Sequence, residues 1–150
     1  MNRIFPPQSD HPLFRYFTDD ERTFIEAISR VISVEDGDYL IRANEDDSTL
    51  FAVEIGHLDV IINRDGQPGV LATVGPGEVL GEVSFIDDST RSVSVKAGEK
   101  TVVRAWEKST LVDALRSDPQ LLAKFSVAMS ELLVERLRDS VRRHGSFRPA

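Results

Sequence analysis

Residues 76–97 read PGEVLGEVSFIDDSTRSVSVKA, which places a helical turn shortly before a strand. The final six residues, 92–97, alternate polar and apolar side chains and predict a β-strand with one buried face. Residues 81–85 (GEVSF) read as a single turn of helix between strands. Because the first amides of a helix have no partner within it, this turn predicts a binding site for a small anion.

Similar short runs of apolar residues continue on both sides of this stretch, from Val31 to about Glu107. They are separated by Asp-Gly pairs at residues 36–37 and 65–66 and by Gly-Pro-Gly at residues 75–77, which favour tight turns. The predicted strands cover residues 31–34, 39–42, 50–55, 58–62, 70–74, 92–97 and 101–106. Short strands in this number, joined by turns, predict an antiparallel β-roll, or jelly roll.

A helical pattern precedes the strands. Thr18 and Glu21 have the spacing of a capping box, in which each side chain bonds the other residue's backbone N–H, and they predict a short helix to about Arg30. Residues 1–12 carry three prolines and are expected to form a flexible N-terminal arm. The predicted fold class is therefore α+β: an antiparallel β-roll of about eight strands, flanked by an N-terminal helix and a C-terminal helical lid with one long helix.

The C-terminal third of the chain is helical in pattern. Ser109 is placed to cap a short helix, and Asp118 with Pro119 predicts the start of a long one. On the long helix, one apolar stripe is formed by Leu122, Phe125, Met129, Leu132, Leu133 and Leu137. The stripe suits packing on the β-roll and dimerisation with a second copy equally well. The domain is expected to span residues 13–144, followed by a C-terminal tail at residues 145–150.

The composition is that of an ordinary globular protein, with 41% hydrophobic and 29% charged residues. No apolar run approaches the roughly 20 residues of a membrane span, and the N-terminus lacks the apolar stretch of a secretory signal. Together with the absence of cysteine, these features predict a cytoplasmic protein. The net charge of −7 argues against broad nucleic-acid binding, which needs a basic surface.

Residues that would carry catalysis are scattered or absent. His11, His57 and His144 are far apart in sequence, which argues against a metal-dependent oxygenase of the cupin type. There is no cysteine nucleophile and no serine in a G-x-S-x-G elbow. The glycine pattern at residues 75–81 is one residue too long for a dinucleotide fingerprint. We therefore expect a binding protein rather than an enzyme, without a metal or cofactor.

Arg91 is the charged residue that strand alternation turns toward the interior. It has the parity of Val93 and Val95, whose side chains should face the core. A guanidinium aimed inward is costly unless an anion meets it. That anion could be Glu82, another carboxylate or the phosphate of a ligand.

Residues 76–97 resemble the phosphate-binding cassette of the cyclic nucleotide-binding domain family, which includes the bacterial catabolite activator protein and the regulatory subunits of protein kinase A. In that family the cassette runs Gly-Glu, small and apolar residues, a variable tip, then Arg followed by Ser, Thr or Ala and a Val-rich strand. Here the family pattern is matched without an insertion by Gly81-Glu82, Ser84, Arg91-Ser92 and Val95-Lys96-Ala97. The resemblance extends through the preceding helix and the two C-terminal helices and so covers roughly residues 10–140.

Two further features bear on the resemblance. The family has a glycine twelve residues before an invariant hairpin glycine, and here Asn44 precedes Gly56 by that interval. Asparagine is the usual substitute for glycine at positive φ. The tip, residues 87–90 (DDST), departs from the family, which often has Gly or Pro there. Its two aspartates would weaken an anionic ligand somewhat, although solvent screens them.

The resemblance implies a role for each matched residue. Arg91 would pair with the cyclic phosphate, aided by backbone amides near Ser84 and near Ser92 or Val93. Glu82 would accept a hydrogen bond from the ribose 2′-hydroxyl. The other residues expected at the ligand are Gly81 and Val83 in the helical turn, Val60 and Leu71 against the purine, and Arg136 capping the base.

The function that the resemblance implies is a regulatory domain that binds cAMP, or alternatively cGMP, and signals by moving its C-terminal helix, with Phe85 as the mechanical link. The alternatives are the ligand-binding part of a catabolite-activator-type transcription regulator and a degenerate scaffold that binds no nucleotide. The expected partners are a cyclic nucleotide, a partner protein or a covalently following output domain, and a second copy bound through the C-terminal helix. Neither a membrane nor direct DNA binding by this chain is expected.

Overall fold

The computed structural model describes residues 3–144, with side chains as far as Arg142. The predicted tail at residues 145–150 lies outside the described residues, as do the first two residues of the predicted arm. By compactness the chain divides into two units. One joins the residues before Thr23 to those from Leu115 onward, and the other comprises Thr23–Ala114.

The predicted α+β class is confirmed, because eight strands lie between an N-terminal helix and C-terminal helices. In chain order the elements are α1 (Asp19–Ala27), β1 (Arg30–Val34), β2 (Tyr39–Ile41), β3 (Leu50–Ile55), β4 (Leu58–Arg64), β5 (Gln67–Val74), β6 (Val79–Leu80), α2 (Glu82–Asp87), β7 (Ser94–Ala97), β8 (Thr101–Trp106), α3 (Lys108–Arg116) and α4 (Pro119–His144). Within residues 3–144, no helix combines the length and the apolar character that crossing a bilayer requires.

The strands form two four-stranded antiparallel sheets, in the orders β1-β8-β3-β6 and β2-β7-β4-β5. Along β8, Thr101, Val103 and Ala105 are buried while the residues between them are partly exposed, which is the period of two that a strand with one inward face requires. The core cluster draws apolar side chains from both sheets. The β-roll predicted from the sequence is therefore confirmed.

Strands β1, β2 and β4 differ from their predicted bounds by one or two residues, and three further strands differ in ways that the fold explains. Strand β6 was not predicted; it has two residues and pairs with β3 through Leu80 opposite Phe51. Strand β5 begins at Gln67 and includes Pro68, which is tolerated because β5 lies at the edge of its sheet. Strand β7 begins at Ser94, two residues later than predicted.

The capping box predicted for α1 is confirmed. The backbone N–H of Thr18 donates to Glu21 Oε1 at 2.9 Å, and the N–H of Glu21 donates to Thr18 Oγ1 at 3.2 Å. The helix ends at Ala27, earlier than predicted, because the chain has already entered β1 at Arg30. Trp106 Nε1, at the end of β8, donates to the carbonyl of Ile25 at 2.8 Å and fastens the end of α1.

The start of α4 is also as predicted, since Asp118 Oδ1 accepts hydrogen bonds from the N–H groups of Gln120 and Leu121. Both ends of the predicted apolar stripe are exposed in the single chain, where Leu122 is 40% exposed and Leu137 is 64% exposed. The buried apolar residues of α4 are Leu121, Phe125, Ala128, Met129 and Leu132. Positions 121 and 122 both lie within one turn of 125, so spacing alone does not decide between them.

Candidate ligand-binding site

The backbone of Arg91 is fastened to the loop that follows β2. Its N–H donates to the carbonyl of Glu45 at 2.9 Å, and its carbonyl accepts from the N–H of Asn44 at 2.7 Å. Asn44 has φ 71° and Gly56 has φ 92°, as their predicted correspondence to two glycines requires. Arg91 is therefore positioned by its main chain, independently of its charge.

The guanidinium of Arg91 is buried, with the residue 4% exposed, as predicted, although β7 begins only at Ser94 and strand parity is therefore not what buries it. Its Nη2 donates to the carbonyl of Thr49 at 2.7 Å, and its Nη1 donates to the carbonyl of Gly81 at 3.3 Å. Its Nη2 also lies 3.4 Å from Asp47 Oδ2. The sequence left Glu82, another carboxylate and a ligand phosphate open as partners for this residue. In the structure, the carboxylate of Asp47 is such a partner.

One edge of the same guanidinium remains unsatisfied. Nε of Arg91 is buried and has no hydrogen-bond partner among the described residues. A buried donor left without a partner costs about 1–3 kcal/mol. An anion that reached this edge would remove that cost and gain charge-assisted hydrogen bonds.

Asp47 is the residue at this site that the sequence did not reveal. Its Oδ1 accepts from the N–H and the hydroxyl of Thr49 at 3.0 and 2.7 Å. Burial raises the pKa of Asp47, but the hydrogen bonds from Thr49 and the charge of Arg91 outweigh it, so that the pKa lies below its ordinary value. The carboxylate is therefore ionised at neutral pH. The acidic run at residues 45–47 (EDD) was the only sequence feature that could have pointed to it.

Gly81 allows the guanidinium to approach the start of α2. Its φ is 85°, and a Cβ atom there would lie 2.7 Å from the carbonyl oxygen of Thr49 and 2.9 Å from Nη1 of Arg91. Both distances are shorter than any side chain tolerates, so glycine is required on steric as well as conformational grounds. Gly81, the first residue of the predicted Gly-Glu pair, is thus brought against Arg91.

Glu82 and Ser84 are both buried in α2, which confirms the helical turn predicted at this point. The turn continues to Asp87, and the N–H of Phe85 donates to the carbonyl of Gly81. In contrast, Val83 and Ser92 are exposed. The two predicted polar residues of the turn therefore lie on its inner side, where Arg91 also lies.

The two acidic residues of the tip are held by local hydrogen bonds. A bond from Ser89 lowers the pKa of Asp87, and a bond from Lys108 lowers the pKa of Asp88. Lys108 Nζ lies 2.8 Å from Asp88 Oδ1. The negative charge of the tip is thus partly offset by a cation that lies 20 residues away in the sequence.

The predicted apolar wall lies on the sheet β2-β7-β4-β5. Val60 and Val93 are partly buried and pack against the core, and Val60 lies opposite Val95. Leu71 on β5 is 43% exposed. The register between β4 and β5 shifts at Val60 and Ile61, where Leu71 is the extra residue. This bulge presents Leu71 at the surface of the sheet.

Arg136 and the other predicted ligand residues belong to different units, so that the place of Arg136 at the site stays a prediction. Arg136 lies on α4, in the unit that includes the chain from Leu115 onward, whereas the other predicted residues lie in Thr23–Ala114. The mechanical link predicted between Phe85 and α4 likewise spans the two units. Among residues 3–144, no three histidine, aspartate or glutamate side chains converge in the manner of a metal site.

The structure thus combines an antiparallel β-roll with a buried arginine beside a Gly-Glu helical turn. The sequence profile described as "Cyclic nucleotide-binding domain" matches residues 31–118 of this chain. The chain therefore belongs to the cyclic nucleotide-binding domain family, and the resemblance drawn from its sequence is confirmed.

Curated relatives include regulatory and kinase proteins. The "cGMP-dependent protein kinase 2" of Homo sapiens is 34% identical over 92 residues, which are 60% of this chain and 12% of the kinase. The "cAMP-dependent protein kinase regulatory subunit" of Aspergillus fumigatus is 31% identical over 121 residues, which are 74% of this chain and 27% of that subunit. This chain thus spans well under half the length of either relative.

A solved structure supports the same fold. The catabolite activator protein of Thermus thermophilus is similar with a TM-score of 0.79 and 26% identity, over 88% of this chain and 61% of that one. The domain class is therefore that of the catabolite activator protein and of the protein kinase A regulatory subunits.

Proposed function

We propose that this chain is a sensor domain that binds cAMP, or alternatively cGMP, at the site formed by Glu82 and Arg91. The observation that carries the proposal is the buried Nε of Arg91, which has no partner among the described residues. A cyclic monophosphate carries a single negative charge and fits one guanidinium. A hydrogen bond to a charged group contributes about 1.5–3 kcal/mol, enough to outweigh distant carboxylates.

In this proposal the phosphate oxygens meet Arg91 and the backbone amides near Ser84 and Ser92. Glu82 accepts a hydrogen bond from the ribose 2′-hydroxyl, which distinguishes a ribonucleotide from a deoxyribonucleotide. The remaining ligand contacts are assigned to Gly81, Val83, Val93, Val60, Leu71 and Arg136. The exposed Leu71 supports this assignment, because an apolar side chain at the sheet surface can lie against a purine.

The proposed output is a movement of α4 when ligand is bound. Ligand can drive that movement only by the difference between its binding free energies to the two helix positions. The domain then acts through regulation and not through catalysis, on a partner protein or on a covalently following output domain. A homodimer through α4, a cytoplasmic setting, and no direct contact with DNA or a membrane belong to the same proposal.

The ligand-binding part of a transcription regulator is the main alternative, and the similarity to the catabolite activator protein supports it. The pair between Arg91 and Asp47 favours a different one, a scaffold that binds no nucleotide, since a carboxylate already meets the arginine. Against the scaffold stands the geometry of that pair: Asp47 reaches Nη2 alone and leaves Nε unsatisfied.

Calorimetric titration of the chain with cAMP and with cGMP tests the proposal. We expect saturable binding of one nucleotide per chain. Arg91→Ala should weaken it by about a hundredfold or more, a loss of roughly 3 kcal/mol. The relative affinities rank the two bases.

Arg64→Ala is the matched control, because Arg64 is an exposed arginine at the far end of β4. It removes the same charge and should leave affinity unchanged. Arg91→Lys keeps the charge but not the planar fork, and it serves if Arg91→Ala fails to fold. Absence of heat and of any thermal shift with both nucleotides would place the scaffold first.

A further inference from the structure

The carboxylate of Asp88 joins three separate segments of the unit Thr23–Ala114. Its Oδ1 accepts from Ser48 Oγ at 3.2 Å, in the loop after β2, and lies 2.8 Å from Lys108 Nζ, at the start of α3. Asp88 itself caps the end of α2, with φ 57° and its N–H donating to the carbonyl of Ser84. The end of α2 is therefore fastened, through one oxygen atom, to the start of the next helix.

Lys108 stands where helix stability does not favour it. It is the first residue of α3, where the helix dipole disfavours a cation. Yet its side chain is only 28% exposed, and its ammonium lies 5.8 Å from the ring centroid of the buried Phe85. Both contacts are made to α2 and its cap, which accounts for the position of Lys108 better than α3 does.

The loop that reaches Asp88 also holds Arg91. Asp47 and Thr49 contact the guanidinium of Arg91, and Ser48, between them in sequence, bonds Asp88. A displacement of Asp88 therefore acts on the loop that positions the arginine.

We propose that Lys108 is a positioning residue for the ligand site: by holding Asp88 it fixes the end of α2, so that nucleotide affinity depends on where α3 begins. This inference rests on the proposed nucleotide binding, but it concerns two residues to which no ligand contact is assigned. Because coupling between two binding or ordering events is reciprocal, bound nucleotide in turn stabilises the start of α3.

Titration with cAMP of Lys108→Met, Asp88→Gly and the double variant tests this role; glycine accepts the positive φ at position 88. We expect each single variant to bind about two- to fivefold more weakly, the range that a partly exposed ion pair supplies. The double variant should lose little more than either single one. Charge alone predicts the opposite sign for Asp88→Gly, because removing a carboxylate favours an anionic ligand. A gain of affinity there, or losses that add, would overturn the proposal.

A second measurement needs no nucleotide. Hydrogen exchange of the Leu111 N–H, which donates to the carbonyl of Glu107 at 3.0 Å, reports on the first turn of α3. The helix dipole alone predicts slower exchange when Lys108 loses its charge. Loss of the contact to Asp88 predicts faster exchange, at Leu111 and at the N–H of Asp88.

Lys100→Met is the matched control, since Lys100 is a more exposed lysine that lies 3.8 Å from Glu35. It should change neither the affinity nor the two exchange rates. If the wild-type chain binds cAMP while Lys108→Met leaves affinity and exchange unchanged, the role of Lys108 is overturned alone. If the wild-type chain binds neither nucleotide, both proposals are overturned.

Discussion

Arg91 contacts the surrounding loops with some atoms of its side chain and leaves another atom for the proposed ligand. Nη1 and Nη2 donate to two carbonyl groups and satisfy the loop after β2 and the start of α2. Nε contributes to neither of these contacts. The site therefore retains a donor whose desolvation cost is already present in the unliganded protein, and a ligand that meets it gains correspondingly.

The proposed role of Glu82 can be tested by changing the ligand as well as the protein. We expect Glu82→Ala to weaken the binding of cAMP by about tenfold to a hundredfold, the range for a hydrogen bond to a charged group. Replacing cAMP by 2′-deoxy-cAMP should lower the affinity of the wild-type chain by about the same factor. The same replacement should change the affinity of Glu82→Ala little, because both changes remove the same contact.

Glu78 offers the matched control, since it belongs to the other Gly-Glu pair and is exposed. Glu78→Ala should leave the difference between the two ligands at its wild-type size. Full additivity of Glu82→Ala with the 2′-deoxy change would assign the 2′-hydroxyl to a different residue. Calorimetric titration supplies all of these affinities.

The sequence was most informative where a single residue carries a local requirement. The sequence pointed Arg91 inward, which holds although β7 begins only at Ser94, and the resemblance to the family assigned a positive φ to Asn44. Asp47 was beyond its reach, because its partner lies 44 residues away in the chain and the contact depends on how a loop returns. Such contacts leave no periodic pattern in the sequence.

At the scale of elements, a buried ion pair joins α1 to α4 within the unit that excludes Thr23–Ala114. Lys124 is 8% exposed, and its Nζ lies 2.7 Å from Glu21 Oε1. Burial raises the pKa of Glu21, but hydrogen bonds from Lys124 and from Thr18 outweigh it, so that the pKa lies below its ordinary 4.5. The carboxylate that caps α1 thus also fastens α4.

This pair makes stability depend on acidity. Because the pKa of Glu21 is depressed in the folded chain, its contribution is complete above pH 4.5 and is lost as pH falls through the folded value. Glutamine keeps the capping box but not the charge. We expect Glu21→Gln to lower the free energy of unfolding by about 1–3 kcal/mol at pH 7, less than the 3–5 kcal/mol for breaking a fully buried pair.

Urea denaturation at pH 7 and at pH 3 measures the effect. The curves of Glu21→Gln and of the wild-type chain should lie closer together at the lower pH, because protonation of the wild-type carboxyl removes the charge that the variant lacks. Glu35→Gln, at an exposed glutamate, is the control and should match the wild-type chain at both values. An equal difference at both pH values would assign the effect to packing instead of charge.

Elements with strong local patterns were predicted closely, and weak ones were not. The bounds of β3 and β8 agree with the predicted ones, because turn residues limit both strands. Strand β6, with two residues, is too short for any period to appear and forms only through pairing with β3. For α4 the length was predictable but the buried face was shifted, since a 3.6-residue period admits neighbouring stripes.

At the scale of the whole molecule, the proposed function requires that ligand in one compact unit affect a helix in the other. The proposed ligand residues other than Arg136 lie in Thr23–Ala114, and α4 lies in the remaining unit. A ligand that bound without changing α4 would produce no signal through that helix. The coupling is therefore a separate property from affinity and needs its own measurement.

Phe85 is the residue through which we expect that coupling to pass. Hydrogen exchange along α4 should slow when cAMP binds to the wild-type chain. In Phe85→Ala we expect cAMP to bind, with the slowing in α4 reduced or absent, because the buried ring that links α2 to its surroundings is gone.

Phe85→Leu retains most of the buried volume and serves if the alanine variant is too unstable. Its α4 response should lie between those of the wild-type chain and the alanine variant. Affinity and exchange that stay at wild-type values in Phe85→Ala would exclude this residue from the link.

The steric constraints on Gly81 indicate which residue a related chain would retain if it lost nucleotide binding. A side chain at this position would strike the carbonyl of Thr49, which belongs to the fold, and the guanidinium of Arg91, which belongs to the ligand site. A descendant that ceased to bind nucleotide would be released from the second obstacle but not from the first. Replacing Arg91 would then cost only its hydrogen bonds to two carbonyl groups, whereas a side chain at position 81 would still meet the carbonyl of Thr49. The glycine is thus retained for the fold, and alone it is a poor marker of binding when genomes are searched.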